Sequence, residues 1–98
     1  MKILVIEDSV LLADTIAEAL QNENYAVDIA NDGQLGYEHA STGIYDMVIL
    51  DLMLPKMNGY EVLSALRRDG DNVPVLILSA KTEIDDKIQG FTTGAAII

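Results

Sequence analysis

The chain has 98 residues, half of them hydrophobic, with a formal net charge of −10 and no cysteine. One domain is expected at this length, and disulfides and thiolate metal sites are excluded. A phosphate backbone would repel the acidic excess, so we expect no direct nucleic-acid binding. No apolar run approaches the ~20 residues of a membrane span, and a strand-like segment starts at Lys2, which leaves no room for a signal peptide. We therefore expect a cytoplasmic protein without membrane association.

Short apolar runs alternate along the chain with segments of helical periodicity. In chain order, the first half is predicted to contain a strand over residues 2–6, a helix over residues 10–22 and a strand over residues 25–30. The inward stripe of this helix comprises Leu12, Ile16, Ala19 and Leu20. After the turn Asn31-Asp32-Gly33, a short helix is predicted with Gly36, Tyr37 and Ala40 facing inward. The second half is predicted to contain a strand over residues 47–50, a helix capped by Asn58 and Glu61 that buries Val62, Leu63 and Leu66, a strand over residues 75–78, and a helix with Ile84, Ile88 and Phe91 on one stripe.

This alternation predicts an α/β fold with a doubly wound parallel sheet, because each crossover between parallel strands returns right-handed over the sheet. Ligands of such sheets bind at the carboxyl ends of the strands. The predicted strands end at Glu7-Asp8, at Asp51 and at Ser79. These residues are therefore the candidates for a functional site.

Three carboxylates at one sheet edge raise one another's pKa unless a cation holds them ionised. No basic residue adjoins Glu7, Asp8 or Asp51 in the sequence. Each of the three, taken alone, is an ordinary polar residue at a strand end. Together they predict an oxygen-only site for a hard divalent cation, most simply Mg²⁺.

Four motifs, in order and in register from Met1 to Ala95, resemble the receiver (CheY-like) domain of two-component response regulators. They are Ile3-Leu4-Val5-Ile6-Glu7-Asp8, Asp51-Leu52-Met53-Leu54-Pro55-Lys56-Met57-Asn58-Gly59, Pro74-Val75-Leu76-Ile77-Leu78-Ser79-Ala80 and Gly90-Phe91-Thr92-Thr93-Gly94-Ala95. The second and fourth motifs are similar to the OmpR/PhoB subfamily, which usually carries a winged-helix DNA-binding domain. The resemblance implies a flavodoxin-like sheet of order 2-1-3-4-5.

The resemblance also implies a role for each site residue. Asp51 would accept a phosphoryl group from a sensor histidine kinase. Glu7, Asp8, Asp51 and the backbone carbonyl of Met53 would hold Mg²⁺, Glu7 through a water molecule. Ser79 would donate its hydroxyl to a phosphoryl oxygen, which makes it the switch residue that reports phosphorylation.

The resemblance breaks off after Ala95, where the chain reads Ala96-Ile97-Ile98 and stops. We therefore expect residues 1–98 to be a receiver domain without all or most of the fifth strand, without the fifth helix and without an effector domain. The family's phosphate-binding lysine would lie beyond Ile98, so phosphorylation is expected to be impaired. The fourth strand would become an exposed apolar edge, which predicts self-association through that strand or through exchanged C-terminal elements, or else a partial fifth strand supplied by the tail over residues 94–98.

Two other functions stay open at this point. The chain could be a phosphorylation-incompetent interaction module that keeps only the receiver surface. It could also be a phosphotransferase or phosphatase similar to the haloacid-dehalogenase-like enzymes. Those enzymes need a second Asp two positions after the nucleophile, where this chain has Met53, so we expect a signalling protein rather than an enzyme.

Overall fold

Strands and helices alternate in the described part of the chain, which comprises residues 1–78 and 96–97 of the computed structural model. In chain order, the elements are β1 (Lys2–Ile6), α1 (Val10–Asn22), β2 (Ala26–Ala30), α2 (Gly33–Ala40), β3 (Met47–Asp51), α3 (Gly59–Arg68), β4 (Val75–Leu78) and β5 (Ala96–Ile97). The four predicted strands and the first three predicted helices are thereby confirmed. Ser79 and the helix predicted around Ile84 and Ile88 lie outside the described residues.

The strands form one parallel sheet of order β2-β1-β3-β4-β5. The predicted doubly wound α/β fold and its strand order are confirmed. β5 pairs with β4 through only two residues, Ala96 opposite Leu76 and Ile97 opposite Ile77. This two-residue pairing agrees with the expected partial fifth strand.

Side chains of the strands alternate between the two faces of the sheet, and a buried layer lies on each face. One layer lies between the sheet and the pair α2 and α3. The strand residues buried there are Leu4, Ile6, Ala30, Val48, Leu50, Val75 and Ile77. The other layer lies under α1 and contains Ile3, Val5, Ile49 and Ala13. Because both faces are covered, β1 and β3 read as continuous apolar runs rather than alternating ones.

Each helix begins at a side chain that accepts a hydrogen bond from its first turn. Ser9 caps α1, and Asp32 caps α2 through the Leu35 N–H at 2.8 Å. Asn58 and Glu61 form the predicted capping box of α3, with 3.0 Å and 3.2 Å between donor and acceptor. The caps satisfy backbone N–H groups that have no partner within the helix.

The inward face of α1 differs from the prediction. Ala13 and Ala17 are buried and Ile16 and Leu20 are partly buried, whereas Leu12 is 44% exposed. Ala19, also predicted inward, is exposed. The helix lies against the sheet through its small residues because alanine permits a close approach of the backbones, so the true stripe is rotated from the one that the larger residues indicated.

Within the described residues, no helix is both long enough and apolar enough to cross a bilayer.

Leu63 of α3 is fully buried, whereas Leu11 of α1 is 79% exposed. We expect Leu63→Ala to lower the free energy of unfolding by about 2–5 kcal/mol, because it leaves a cavity in the core. The matched control Leu11→Ala should change it by less than about 0.5 kcal/mol. Urea unfolding followed by circular dichroism measures both. Equal losses in the two variants would contradict this assignment of the core.

Candidate functional site

The carboxyl ends of β1 and β3 adjoin each other at the centre of the sheet. Ile6 of β1 lies opposite Leu50 of β3, so the residues that follow them meet at the same edge. One carboxylate oxygen from each of Glu7, Asp8 and Asp51 lies within 4.8 Å of the other two. The structure thus brings together the three carboxylates that the strand ends predicted.

Glu7 is the buried member of the cluster, only 4% exposed. Its backbone N–H donates to the Ala30 carbonyl at 3.0 Å, which extends the β1–β2 pairing beyond Ile6. The Ser9 N–H donates to Glu7 Oε2 at 2.9 Å, and the Asn31 side-chain amide donates to the Glu7 carbonyl at 3.0 Å. These three bonds fix both the backbone and the carboxylate of Glu7.

Asp51 is half-buried and is the last residue of β3, directly before the loop that leads to α3. The Met53 N–H donates to Asp51 Oδ1 at 3.3 Å, and the Gly59 N–H donates to the Leu52 carbonyl at 3.0 Å. Position 59 requires glycine, because a Cβ there would lie 2.4 Å from the Asp51 carbonyl oxygen. Met53 is 62% exposed, so its side chain lies largely outside the core.

Burial and mutual repulsion perturb two of the three acids. Desolvation, together with contacts to Asp8 and Asp51, raises the pKa of Glu7 to about 7, although the Ser9 N–H opposes the shift. Desolvation is also the main cause that raises the pKa of Asp51, assisted by the charge of Asp8 and opposed by the Met53 N–H. The ionised cluster is therefore an unfavourable arrangement without a counter-charge.

The donor set of the cluster suits a divalent cation. Across residues 1–78, the ion pairs of the described basic side chains are Lys2 with Asp28 and Lys56 with Asp32. Neither pair includes a carboxylate of the cluster. Oxygen ligands with excess negative charge fit Mg²⁺ or Ca²⁺ and would not hold a soft metal.

Two further residues contact the site, and the sequence did not mark them as functional. Asn31 and Gly33 were interpreted only as part of a turn. Asn31 binds the Glu7 carbonyl, and the Gly33 N–H donates to the Pro55 carbonyl of the loop after Asp51 at 3.3 Å. The strand-end rule that identified Glu7 would have identified Asn31 as well, had it been applied to β2.

The family model of the response regulator receiver domain matches residues 3–98. The transcriptional regulatory protein DltR of Streptococcus agalactiae is 43% identical over 95 residues, which cover 97% of this chain and 42% of DltR. The chain thus spans less than half the length of this curated relative.

Solved structures agree with the sequence matches. The receiver domain of the Francisella response regulator 1452 superposes with a TM-score of 0.94 at 31% identity, covering 99% of this chain and 81% of that one. The response regulator TrrA of Thermotoga maritima, solved in complex with Mg(2+)-BeF, superposes with a TM-score of 0.87 at 27% identity, covering 99% and 84%. From its motifs, its fold and these matches, the chain belongs to the response regulator receiver domain family of two-component systems.

Proposed function

We propose that Asp51 is the phosphoacceptor of this receiver domain and takes its phosphoryl group from a phosphohistidine on a sensor histidine kinase. Glu7, Asp8, Asp51 and the backbone carbonyl of Met53 hold Mg²⁺ in this proposal. The observation that carries it is the convergence of three carboxylate oxygens within 4.8 Å at the carboxyl edge of the sheet. The Mg(2+)-BeF complex of TrrA supports the choice of ion.

In the proposed step, a carboxylate oxygen of Asp51 attacks the phosphorus atom. A new O–P bond forms, the P–N bond to the imidazole breaks, and its electron pair returns to the imidazole nitrogen. Phosphoryl transfer depends mainly on positioning and charge neutralisation, and a bound Mg²⁺ supplies the neutralisation. The Met53 N–H restrains Asp51 Oδ1 and so restricts rotation of the nucleophile.

We assign the switch role to Ser79, which directly follows β4 in the sequence. Its hydroxyl would donate to a phosphoryl oxygen on Asp51 and draw the segment after β4 toward the site. The family membership supports this assignment, and Ser79 itself lies outside the described residues.

Phosphoryl acceptance modifies Asp51 itself, so we propose a signalling switch rather than an enzyme. We also propose that this switch acts in the cytoplasm. Relatives such as DltR are transcriptional regulators. With a net charge of −10, this chain would be repelled by nucleic-acid phosphates. It would therefore contribute to transcription control by binding other proteins, without contacts of its own to nucleic acid or membrane. In this proposal, residues 1–98 form the receiver portion.

We also propose self-association along the fourth strand. β5 pairs with two residues of β4, so the ladder on that side is short. An apolar sheet edge whose backbone groups lack a strand partner is a template for pairing with another chain or for exchange of C-terminal elements.

The acceptor assignment is tested by intact mass after incubation with acetyl phosphate and Mg²⁺. We expect one phosphoryl adduct on the native chain and on Asp14→Asn, because Asp14 is an exposed residue of α1. Asp51→Asn and the native chain in EDTA should show none. An adduct on Asp51→Asn would move the acceptor elsewhere, and no adduct on a folded native chain would favour the interaction module.

Mg²⁺ binding is tested by titration followed through amide chemical shifts. Asp8→Asn removes one ligand charge, so we expect roughly 10-fold weaker binding, with Asp14→Asn unchanged. Mg²⁺ binding should also weaken as the pH falls below about 7, because the pKa of Glu7 is raised to about 7 and its carboxylate takes up a proton below that pH. Equal affinity in all three proteins would remove the proposed metal site.

Sedimentation velocity across micromolar concentrations tests self-association. We expect a concentration-dependent shift from monomer to a larger species. A strictly monomeric protein throughout that range would refute pairing along β4.

A further inference from the structure

The loop after Asp51, residues 52–58, is fixed to the fold at two points. The Gly59 N–H donates to the Leu52 carbonyl at 3.0 Å, and the Gly33 N–H, from the start of α2, donates to the Pro55 carbonyl at 3.3 Å. Only Met53 and Leu54 lie between the two anchored carbonyls. The position of the Met53 backbone therefore depends on both anchors.

The second anchor is possible only because residue 33 is glycine. A Cβ at this position would lie 1.6 Å from the Met57 carbonyl oxygen and 2.6 Å from its carbonyl carbon. Both atoms belong to backbone, so no rotation of a side chain could relieve the overlap. Any larger residue at position 33 must push the loop away from α2.

The turn that carries Gly33 is itself bound to the other half of the site. Asn31 donates its side-chain amide to the Glu7 carbonyl at 3.0 Å. Asp32 caps α2 through the Leu35 N–H, which fixes the orientation of the turn. One turn therefore contacts both the segment with Glu7 and the loop that follows Asp51.

A nearby ion pair contributes less than these contacts. Lys56 Nζ lies 3.7 Å from Asp32 Oδ2, but the Lys56 side chain is 70% exposed. Exposed pairs of this kind add little to stability or position. The steric fit of Gly33 against the Met57 carbonyl is the stronger constraint.

We infer that the turn Asn31-Asp32-Gly33 sets the geometry of the phosphoacceptor site, with Gly33 as a positioning residue for the backbone of Met53. The inference rests on the proposed function for its consequence, since Met53 is the proposed carbonyl ligand. The placement of the loop against Gly33 is independent of any metal. A side chain at position 33 displaces the loop and loosens Mg²⁺ binding without touching a carboxylate.

The test compares Gly33→Ala with Ala40→Gly, a substitution of a buried residue at the opposite end of α2 from Gly33. Hydrogen exchange of peptides covering residues 52–58 is measured in EDTA, with the β1 peptide as internal reference. Mg²⁺ titrations of the same proteins follow. Melting temperatures separate loss of stability from loss of loop position.

We expect Gly33→Ala to accelerate exchange in residues 52–58 and to weaken Mg²⁺ binding roughly 10-fold, as loss of an outer support of a metal site does. Ala40→Gly should lower the melting temperature and change neither readout. Unchanged exchange in Gly33→Ala overturns the inference whether or not the native chain binds Mg²⁺. Faster exchange in Gly33→Ala with undiminished Mg²⁺ affinity also overturns the inference. If the native chain binds no Mg²⁺, the proposed function is refuted, and the exchange of residues 52–58 alone then tests whether Gly33 positions the loop.

Discussion

The burial and mutual repulsion of three carboxylates at the carboxyl edge of the sheet are the constraint on which the site depends. Glu7 is buried, and its pKa is raised to about 7, mainly by desolvation and further by its acidic neighbours. A domain that served only its own stability would gain by replacing such a group with an apolar one. The cost is understandable if a divalent cation offsets the charge, because carboxylate oxygens are the ligands that Mg²⁺ prefers. The buried carboxylates therefore lower the stability of the fold and provide ligands for a cation.

The fold holds the cluster together against this repulsion through the order of its strands. β1 and β3 are neighbours at the centre of the sheet, so Glu7 and Asp51 are adjacent although they are far apart in sequence. Backbone contacts then lock the two connecting segments: Gly59 against the Asp51 carbonyl, and the turn after β2 against both the Glu7 carbonyl and the acceptor loop. These neighbours are backbone groups, which cannot move aside as a long side chain could.

Much of this could be predicted from the sequence, for a physical reason. Strands buried on both faces are uninterrupted apolar runs, so their ends are sharp and Glu7, Asp8 and Asp51 stand out as the first charges after them. The inward face of α1 was predicted correctly for Ile16 and Leu20 but wrongly for Leu12. Periodicity favours large residues such as Leu12, whereas Ala13 and Ala17 are the buried residues of the helix. The role of Gly33 was not visible either. A close approach between a turn and a distant loop is a property of tertiary structure, and a glycine in a turn is ordinarily explained by the turn alone.

The most direct test of the account is the free energy of unfolding of the native chain and Glu7→Gln, measured with urea in EDTA from about pH 4 to about pH 8. The folded-state pKa of Glu7 is raised from 4.5 to about 7, so the folded chain retains a proton that the unfolded chain has released. The stability of the native chain should therefore fall as the pH rises through this window. Near pH 8, Glu7→Gln should be more stable by about 1–3 kcal/mol, with the difference vanishing near pH 4. Added Mg²⁺ should narrow the gap by stabilising the native chain. If the two proteins have equal stability at every pH, or if Glu7→Gln is the less stable near pH 8, Glu7 does not carry the cost of burial and repulsion on which this account depends.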